Sequence, residues 1–317
     1  MTWFEKLDEV IEKYLPDLPM EQDVPMSRLT SFHIGGPARR VAYPKNREQL
    51  VILLGLADEC GARPFVMGNG TNLLAPDKGL ERLVVRTAGE MNALQLVDET
   101  TIEADAGVSL ARLALFAKNA GLSGLEFAHG IPGSLGGAVF MNAGAYGGEM
   151  KQVVEEVTAL TESGIRRIPA QECDFGYRHS AFSDGKSVIL GAKLHLSKGS
   201  SSEIDAKMAE LMNRRKSSQP LEYPSAGSTF QRPVGNYASF LIDQCGLKGA
   251  SVGDAQVSVK HAGFVVNTGK ATCHDVLELC DFVKQTVLEK TGYQLELVIV
   301  GDPAKPVNMP EQEAVEK

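Results

Sequence analysis

The sequence predicts a fold of mixed α and β class, arranged as two domains. Helical periodicity and strand-like alternation interleave along the whole chain instead of separating into blocks. With 317 residues the chain is long enough for two domains with sizeable cores. The polar segment 197–202, Ser-Lys-Gly-Ser-Ser-Ser, has the composition of a linker, so we place the domain boundary there.

The first half of the chain carries three predicted helices and three predicted strands. Apolar residues at helical spacing, each time followed by a proline or glycine that ends the helix, predict helices over 3–15, 47–60 and 110–119. Short apolar runs predict strands over 64–67, 83–85 and 101–104. The stretch between Pro16 and residue 46 shows neither pattern and is expected to be irregular.

The second half continues the same interleaving. Alternating apolar residues predict strands over 153–160, 187–196 and 294–300. Helical periodicity predicts helices over 203–215, 237–245 and 274–289. The residues from Pro303 onward are polar and charged and are expected to form a flexible tail.

The composition is that of a globular protein and excludes several functions. Hydrophobic residues make up 43% and charged residues 23%, which is ordinary for a soluble chain. A net charge of −8 argues against a nucleic-acid partner. No apolar stretch has the length of a membrane span and no secretory signal opens the chain, so we expect a cytoplasmic protein without membrane insertion. The five cysteines are scattered without zinc-type spacing, which predicts free thiols and no metal.

A glycine-dense run over 130–148 is the most informative feature of the chain. Because glycine has no Cβ, its backbone amides can approach a bulky anionic ligand and adopt positive φ without strain. Apolar residues such as Ile131 and Val139 are threaded through the run, so we expect it to pack inside the fold rather than form a linker. Buried amides need acceptors, and a dinucleotide cofactor is one source of them.

A second glycine loop, Gly68-Asn69-Gly70-Thr71-Asn72, follows the strand predicted over 64–67. Its amides and polar side chains suit a pyrophosphate. The loop lacks the third glycine of a Rossmann fingerprint, and the chain has no Walker-type Gly-Lys-Ser/Thr. Taken alone, the loop is equally well explained as a plain turn after a strand. Two glycine loops in one chain are a stronger indication of a cofactor than either loop by itself.

Three segments together resemble the flavin-binding lobe of the vanillyl-alcohol-oxidase superfamily, and within it the UDP-N-acetylenolpyruvoylglucosamine reductase (MurB) family: 30–38, 68–74 and 130–137. The resemblance implies an α+β fold with a two-lobed FAD-binding domain of the PCMH type, followed by a smaller α+β substrate-binding domain. The limits it implies are a helical lead-in over 1–25, an FAD-binding domain over 26–197, a substrate-binding domain over 203–302 and the tail over 303–317.

In that superfamily the loop matching 68–72 holds the FAD pyrophosphate, and the loop matching 130–137 helps to cover the diphosphate and the isoalloxazine ring. In chain order we call these the first and the second loop. The resemblance therefore implies a set of cofactor-binding residues in each loop. They are Gly68, Asn69, Gly70, Thr71, Asn72 and Leu73, with Gly130, Ile131, Pro132, Gly133, Ser134, Gly136, Gly137 and Ala138. Relatives with a covalently attached flavin often carry a histidine in the first loop. Here Thr71 follows Gly70, so noncovalent FAD is expected.

Four later segments match the family in the expected order: 175–182 (FGYRHSAF), 224–230 (PSAGSTF), 241–249 and 261–267. Glu296 also stands five residues before Gly301, as in the family. The resemblance covers residues 26–302 and is to the shorter, type II form of the enzyme. It implies that Ser228 donates a proton, and that Arg178 and Glu296 stabilise the charge that develops on the substrate.

The residues themselves leave an ordinary structural explanation open for each of these three. Ser228 lies between Gly227 and Thr229, where a serine usually caps a turn. Arg178 lies among aromatic residues, where an arginine often stacks or forms an ion pair. Alternation puts Glu296 on the opposite face of the last predicted strand from its leucines, as a solvated edge residue or as a paired carboxylate at a site. The resemblance favours the second interpretation.

Five residues near these motifs are expected to contact the substrate: Tyr177, Gly227, Gln231, Lys248 and Asn267. Four histidines beside motifs lack metal-type spacing and are interpreted as structural: His33, His129, His179 and His261. The cations of 214–216 end a predicted helix, where they suit the helix dipole. Attraction of a nucleotide diphosphate is the alternative explanation for them.

The resemblance implies that NADPH reduces the FAD, and that UDP-N-acetylglucosamine enolpyruvate is then reduced to UDP-N-acetylmuramate for peptidoglycan synthesis, by a monomer. Two alternatives stay open. One is another FAD-dependent oxidase or dehydrogenase of the superfamily, which would have no use for Ser228, Arg178 and Glu296 together. The other is a non-catalytic flavin- or nucleotide-binding relative, which would be expected to lack one of the three.

Overall fold

The computed structural model describes residues 1–299, and these fold into two compact units. Unit 1 consists of Met1–Asp23, Arg39–Asn69 and Arg82–Ser217. Unit 2 consists of Val24–Ala38, Gly70–Glu81 and the chain from Ser218 onward. The units divide the chain differently from the domain limits predicted from the sequence, because unit 2 takes two short segments from the N-terminal half. The predicted tail over 303–317 lies outside the described residues.

Unit 1 contains five helices with side-chain caps that explain where several of them begin. Thr2, Asn46 and Ser109 accept hydrogen bonds from first-turn amides of the first three helices. The helices are α1 (Trp3–Tyr14), α2 (Arg47–Glu59), α3 (Leu110–Asn119), α4 (Leu135–Phe140) and α5 (Ser201–Ser218).

Two sheets carry most of the strands of unit 1. A four-stranded sheet has the order β1-β2-β4-β3 and is formed by β1 (Met20–Pro25), β2 (Pro37–Ala42), β3 (Phe65–Met67) and β4 (Leu80–Arg86). An antiparallel sheet has the order β11-β10-β12-β6-β5 and is formed by β5 (Leu94–Leu96), β6 (Thr101–Asp105), β10 (Val154–Thr161), β11 (Gly164–Pro169) and β12 (Val188–His195). Short two-stranded pairs join β7 (Leu122–Ser123) to β13 (Ser197–Lys198), and β8 (Gly144–Ala145) to β9 (Gly148–Glu149).

Each sheet of unit 1 has its own hydrophobic core. One core lies between α1, α2 and the four-stranded sheet and includes Leu7, Leu53 and Leu83. The other lies between the five-stranded sheet and the helices α3, α4 and α5, and it includes Leu113 and Leu135. Burial of these leucine side chains contributes roughly 1.5–3 kcal/mol each, which is why the helices dock on the sheets.

Unit 2 is an antiparallel sheet covered by two helices. The sheet has the order β14-β17-β16-β15 and is formed by β14 (Ser225–Ser228), β15 (Ser251–Val252), β16 (Ala255–Val257) and β17 (Phe264–Asn267). The helices are α6 (Ala238–Gln244) and α7 (Cys273–Thr291). Phe32, Ile34 and Leu74 from the two N-terminal segments are buried in the same core as Val276 and Leu279 of α7.

The mixed α and β class predicted from the sequence is confirmed. All six predicted helices form, within a few residues of the predicted limits. The strands predicted over 64–67, 83–85, 101–104, 153–160 and 187–196 correspond to β3, β4, β6, β10 and β12. Gly61 and Gly121 have positive φ of 71° and 68° where the helices α2 and α3 end, as expected for caps.

Three expectations about local structure are wrong. The segment 197–202 is no linker, since β13 pairs with β7 and α5 begins at Ser201, with its buried face in the larger core of unit 1. The stretch after Pro16 holds the strands β1 and β2 instead of being irregular. In the described part of the predicted strand 294–300, Leu297 forms only an isolated bridge with Phe230.

Among residues 1–299, no helix has both the length and the hydropathy that crossing a bilayer requires. All five cysteines lie in this range and are free thiols.

Candidate active site

The glycine-dense run begins as a loop that lies directly against residues 106–110 of unit 1. The amides of Leu135 and Gly136 donate to the carbonyls of Val108 and Ala106, both at 2.8 Å, and Leu110 donates to Gly133 at 3.0 Å. A Cβ added to Gly136 would lie 2.8 Å from the Cβ of Ala106, which is too close for two carbon atoms. Glycine is therefore required for this loop to dock where it does.

The structure brings the two predicted cofactor loops together within unit 1. The side-chain amide of Asn69 donates to the carbonyl of Pro132 at 2.8 Å. A Cβ added to Gly68 would lie only 1.9 Å from the Oγ of Ser134. The two loops are therefore in direct contact, and their contact depends on the missing side chain at Gly68.

Ser134 is the residue at this contact that most clearly needs a further ligand. It occupies the N-cap position of α4, but its side chain makes no capping bond. The residue is 2% exposed, and among the described residues its Oγ has no hydrogen-bond partner. A buried hydroxyl without a partner is unfavourable, so an acceptor or donor from a bound molecule would satisfy it. The orphaned hydroxyl and the side-chain-free glycines fit the diphosphate and ring of a dinucleotide.

The second half of the first loop belongs to unit 2. The carbonyl of Gly70 accepts from the amide of Ser31 at 3.1 Å, and Gly70 itself has a φ of 65°. The side-chain amide of Asn72 donates to the carbonyl of Val298 at 3.0 Å, so this amide joins two segments of unit 2. Thr71 and Leu73 are half-buried beside it. The Asn72 side chain is therefore a poorer candidate for the pyrophosphate than the backbone of the loop.

Arg178 lies in unit 1 in a strained turn. Its φ of 55° is unusual for a residue with a long side chain. Such a strained backbone conformation persists only where the surrounding structure enforces it. The turn is closed by a bridge between Gly176 and His179, and the ring of His179 lies 3.1 Å from a carboxylate oxygen of Asp174. Burial lowers the pKa of the Arg178 guanidinium, yet arginine stays charged at neutral pH. Tyr177 beside it is 60% exposed.

Sequence reasoning missed Asn142, which holds the Arg178 turn in place. This residue is 4% exposed and has a φ of 40°. Its side-chain amide donates to the carbonyl of Gly176 at 3.0 Å and to Glu149 at 2.9 Å, and its oxygen accepts from the amide of Lys151. A lone amide residue inside an apolar, glycine-rich run was the available signal, because such a side chain needs internal partners.

Ser228 is at the end of β14 in unit 2, with its side chain exposed. The preceding Gly227 has a φ of 77°, and a Cβ there would meet nothing within 4 Å, so the space beside the serine is open. The amide that follows, on Thr229, donates to the carbonyl of Gly263 at 2.8 Å. The serine is thus presented by a firmly bound strand at an open surface.

Glu296 lies on the chain segment that runs beside the one following Ser228. The amide of Gln231 donates to the carbonyl of Glu296 at 2.8 Å, and the amide of Val298 donates to that of Thr229 at 2.9 Å. The structure therefore brings Ser228 and Glu296 onto neighbouring segments of unit 2. The Glu296 side chain is exposed, which departs from the buried, paired carboxylate that the alternation pattern allowed.

Two of the expected substrate contacts have other partners within unit 2. Asn267 is 3% exposed, and its side chain bonds to the carbonyl of Phe32 and to two amides of the following turn, so it is a structural residue of the core. Lys248 is exposed and forms an ion pair of 2.7 Å with Asp243. Gln231 is half-buried, and its backbone amide donates to the carbonyl of Glu296.

Comparison with known sequences agrees with this geometry. A family model described as an FAD binding domain matches residues 38–168. A second, described as the C-terminal domain of UDP-N-acetylenolpyruvoylglucosamine reductase, matches residues 219–300. The FAD-binding match contains the two loops that meet in unit 1, residues 68–69 and 130–137, which we call the glycine cradle. An FAD-binding domain joined to this C-terminal domain defines the chain as an FAD-dependent oxidoreductase.

The relatives narrow this class to one family. The UDP-N-acetylenolpyruvoylglucosamine reductase of Caldanaerobacter subterraneus is 46% identical over 94% of this chain and 99% of its own length. That of Clostridium novyi is 42% identical over 94% and 98%. The crystal structure of the enzyme (MurB) from Thermus caldophilus matches with a TM-score of 0.77 at 38% identity, over 90% of this chain and 99% of that one. The chain belongs to the UDP-N-acetylenolpyruvoylglucosamine reductase (MurB) family, which confirms the resemblance seen in the sequence.

We predict that Gly68→Ala weakens FAD binding. The added methyl group overlaps the buried Oγ of Ser134, and overpacking of this kind costs about 1–3 kcal/mol, which corresponds to about 5- to 150-fold in affinity if the strain falls on the bound conformation. The measurement is the flavin absorbance per mole of purified protein, followed by FAD titration of the stripped protein. Gly55→Ala is the matched control, since a Cβ there meets nothing within 4 Å. Equal FAD affinity in the two variants would contradict the cradle.

Proposed function

We propose that the chain reduces UDP-N-acetylglucosamine enolpyruvate to UDP-N-acetylmuramate with NADPH, through noncovalently bound FAD, in peptidoglycan precursor synthesis. The observation that carries the proposal is the combination, in one chain, of an FAD-binding domain with the C-terminal domain of this reductase family. FAD, when bound, supplies the redox step by accepting a hydride from NADPH and passing it to the enolpyruvyl group. The groups of the chain bind, orient and move protons.

The unit 1 cradle is the part of the chain that would hold the cofactor. Gly68 brings the two loops into contact, and Ser134 is left there with a buried hydroxyl that has no partner among the described residues. FAD bound beside Ser134 would give its Oγ the missing partner. The proposed binding is noncovalent.

Arg178 is proposed to stabilise the negative charge that develops beside the substrate carboxylate. A guanidinium that burial has partly desolvated interacts more strongly with an anion than one in water, because the local dielectric constant is lower. The left-handed backbone at Arg178 and the bonds of Asn142 to its turn hold the group in one orientation. A preorganised cation needs little rearrangement when the charge forms.

Ser228 is proposed to donate the proton that completes the reaction, with Glu296 assisting. A neutral serine is a weak acid and must be polarised by its surroundings. The Glu296 carboxyl group, carried by the neighbouring segment, is available to stabilise charge or to act as an acid. Both side chains are exposed, so substrate can reach them. Tyr177, Gln231 and Lys248, which are at least partly exposed, remain proposed substrate contacts. We further propose that the protein is a cytoplasmic monomer.

We predict a two-stage colour change under anaerobic conditions. The yellow protein should be bleached by NADPH and then recover its colour when UDP-N-acetylglucosamine enolpyruvate is added, and absorbance at the flavin bands follows both stages. The control substrate is UDP-N-acetylglucosamine, which lacks the enolpyruvyl group. Bleaching of the oxidised protein by a simple alcohol or sugar, without NADPH, would identify an oxidase or dehydrogenase instead. A colourless protein that takes up no FAD would identify a non-catalytic relative.

We predict that Ser228→Ala slows reoxidation of the NADPH-reduced protein by substrate by about 100-fold or more, because the proton donor is lost. Reduction by NADPH should keep its wild-type rate, since no proton from Ser228 is used there. Stopped-flow absorbance separates the two stages. Ser251→Ala, another exposed serine of the same sheet, is the control. Equal slowing of both stages in Ser228→Ala would count against the proposed role.

We predict that Glu296→Gln also slows the substrate stage selectively, by about 10-fold or more, since the amide cannot act as an acid. The exposed side chain makes a folding defect unexpected, so thermal melting should stay within about 2 °C of wild type. Glu278→Gln on α7 is the control for loss of an exposed carboxylate in unit 2. Unchanged turnover in Glu296→Gln would make Glu296 a plain surface residue.

A further inference from the structure

His261, a residue of the motif at 261–267, closes a tight turn in unit 2. The amide of Gly263 donates to Nδ1 of the His261 ring at 3.1 Å. The amide of Phe264 donates to the backbone carbonyl of His261 at 3.0 Å. His261 therefore fixes both of the peptide groups that flank Gly263, one through its ring and one through its backbone.

The same turn is bound directly to the strand that carries Ser228. The carbonyl of Gly263 accepts the amide of Thr229 at 2.8 Å, and Ser228 faces Phe264 in the antiparallel register of β14 and β17. The peptide group between Ser228 and Thr229 thus takes its orientation from a carbonyl that His261 holds.

Close packing restricts this turn to the observed conformation. A Cβ on Gly263 would lie 3.1 Å from Cε1 of His261 and 3.2 Å from the Cβ of Ser239 on α6. The imidazole also packs edge-to-face on Phe264, with ring centroids 4.9 Å apart. The ring is half-buried between these groups and bonded to the turn at the Gly263 amide.

The bond from Gly263 requires a neutral ring with its proton on Nε2, since a protonated imidazole has no acceptor. Burial lowers the pKa of His261 more than a backbone hydrogen bond raises it, and the ammonium group of Lys248 lowers it further. Lys248 is in turn paired with Asp243 of α6, and Lys260 on the turn itself is paired with Glu222 at 3.6 Å. The neutral acceptor form is therefore kept at neutral pH and lost only in acid.

We propose that His261 is a positioning residue for Ser228. Its neutral ring holds the Gly263 turn, and the turn sets the orientation of the peptide group on which the serine depends. The inference rests on the proposed function, because it takes Ser228 as the proton donor. It assigns no contact with substrate to His261.

The test compares His261→Leu, which removes the acceptor, with His261→Asn, whose Oδ1 can replace Nδ1 as acceptor. In His261→Leu, reoxidation of the NADPH-reduced protein by substrate should slow by about 10- to 100-fold, since small misplacements of a reacting group have effects of this size. FAD content and reduction by NADPH should stay at wild-type levels. His261→Asn should restore most of the rate.

The pH profile is the readout that a merely structural histidine would not change. Protonation of His261 removes the acceptor, so the wild-type reoxidation rate should fall as the pH drops below the ordinary histidine pKa of about 6.5. His261→Asn has no such group and should lack this acid limb. This comparison uses only wild type and His261→Asn, so it decides the question even if His261→Leu does not fold.

Two results would overturn the inference: equal slowing in His261→Leu and His261→Asn, or an identical acid limb in wild type and His261→Asn. Slowing of the NADPH stage together with loss of FAD would also overturn it, in favour of a general folding role. Ser228→Ala separates this failure from failure of the proposed function. If Ser228→Ala is slow while His261→Leu is normal, only the inference fails. If Ser228→Ala reacts like wild type, the proposed role of the serine fails.

Discussion

The cofactor cradle depends on two places in unit 1 where no Cβ atom fits. At Gly136 a methyl group would meet Ala106, and at Gly68 it would meet Ser134. With glycine at both positions, the side-chain amide of Asn69 bonds the loop at Gly68 to the run at 130–137, and backbone hydrogen bonds hold that run against residues 106–110. The candidate site follows from this packing, because it leaves the buried hydroxyl of Ser134 without a partner among the described residues. Helices α3 and α4 and the five-stranded sheet then fix the loops from behind.

In unit 2, hydrogen bonds of the backbone position the candidate catalytic groups. Ser228 is held by the strand β14 and Glu296 by backbone hydrogen bonds of its segment, while their side chains stay exposed. Arg178 in unit 1 is held by a strained turn that Asn142 secures. In each case hydrogen bonds to peptide groups orient the residue. Such backbone positioning of side chains is expected where the protein mainly orients the reacting groups and a cofactor supplies the redox chemistry.

Predictions from the sequence were most reliable for elements that depend on neighbouring residues alone. Helices with clear periodicity and a cap, such as the one predicted over 110–119, formed at the predicted residues. They were least reliable for polar segments, because a short polar sequence can pair in a sheet as β13 does, or cap and continue into a helix as Ser201 does. Asn267 and Asn72 show the same limit at the level of the site. A side-chain amide near a motif looks available for a ligand, but only the fold shows that a distant backbone carbonyl has already taken it.

The sequence by itself determined the family, the flavin-binding class and the identities of the candidate groups, because these depend on residue types at fixed spacing. The tertiary structure alone decided which loops meet. It showed that Gly68 faces Ser134, that Asn142 secures the Arg178 turn, and that His261 is linked to Ser228 through Gly263. The physical reason is that these contacts join residues far apart in the chain, and their existence depends on distances of a few tenths of an ångström that no local pattern encodes.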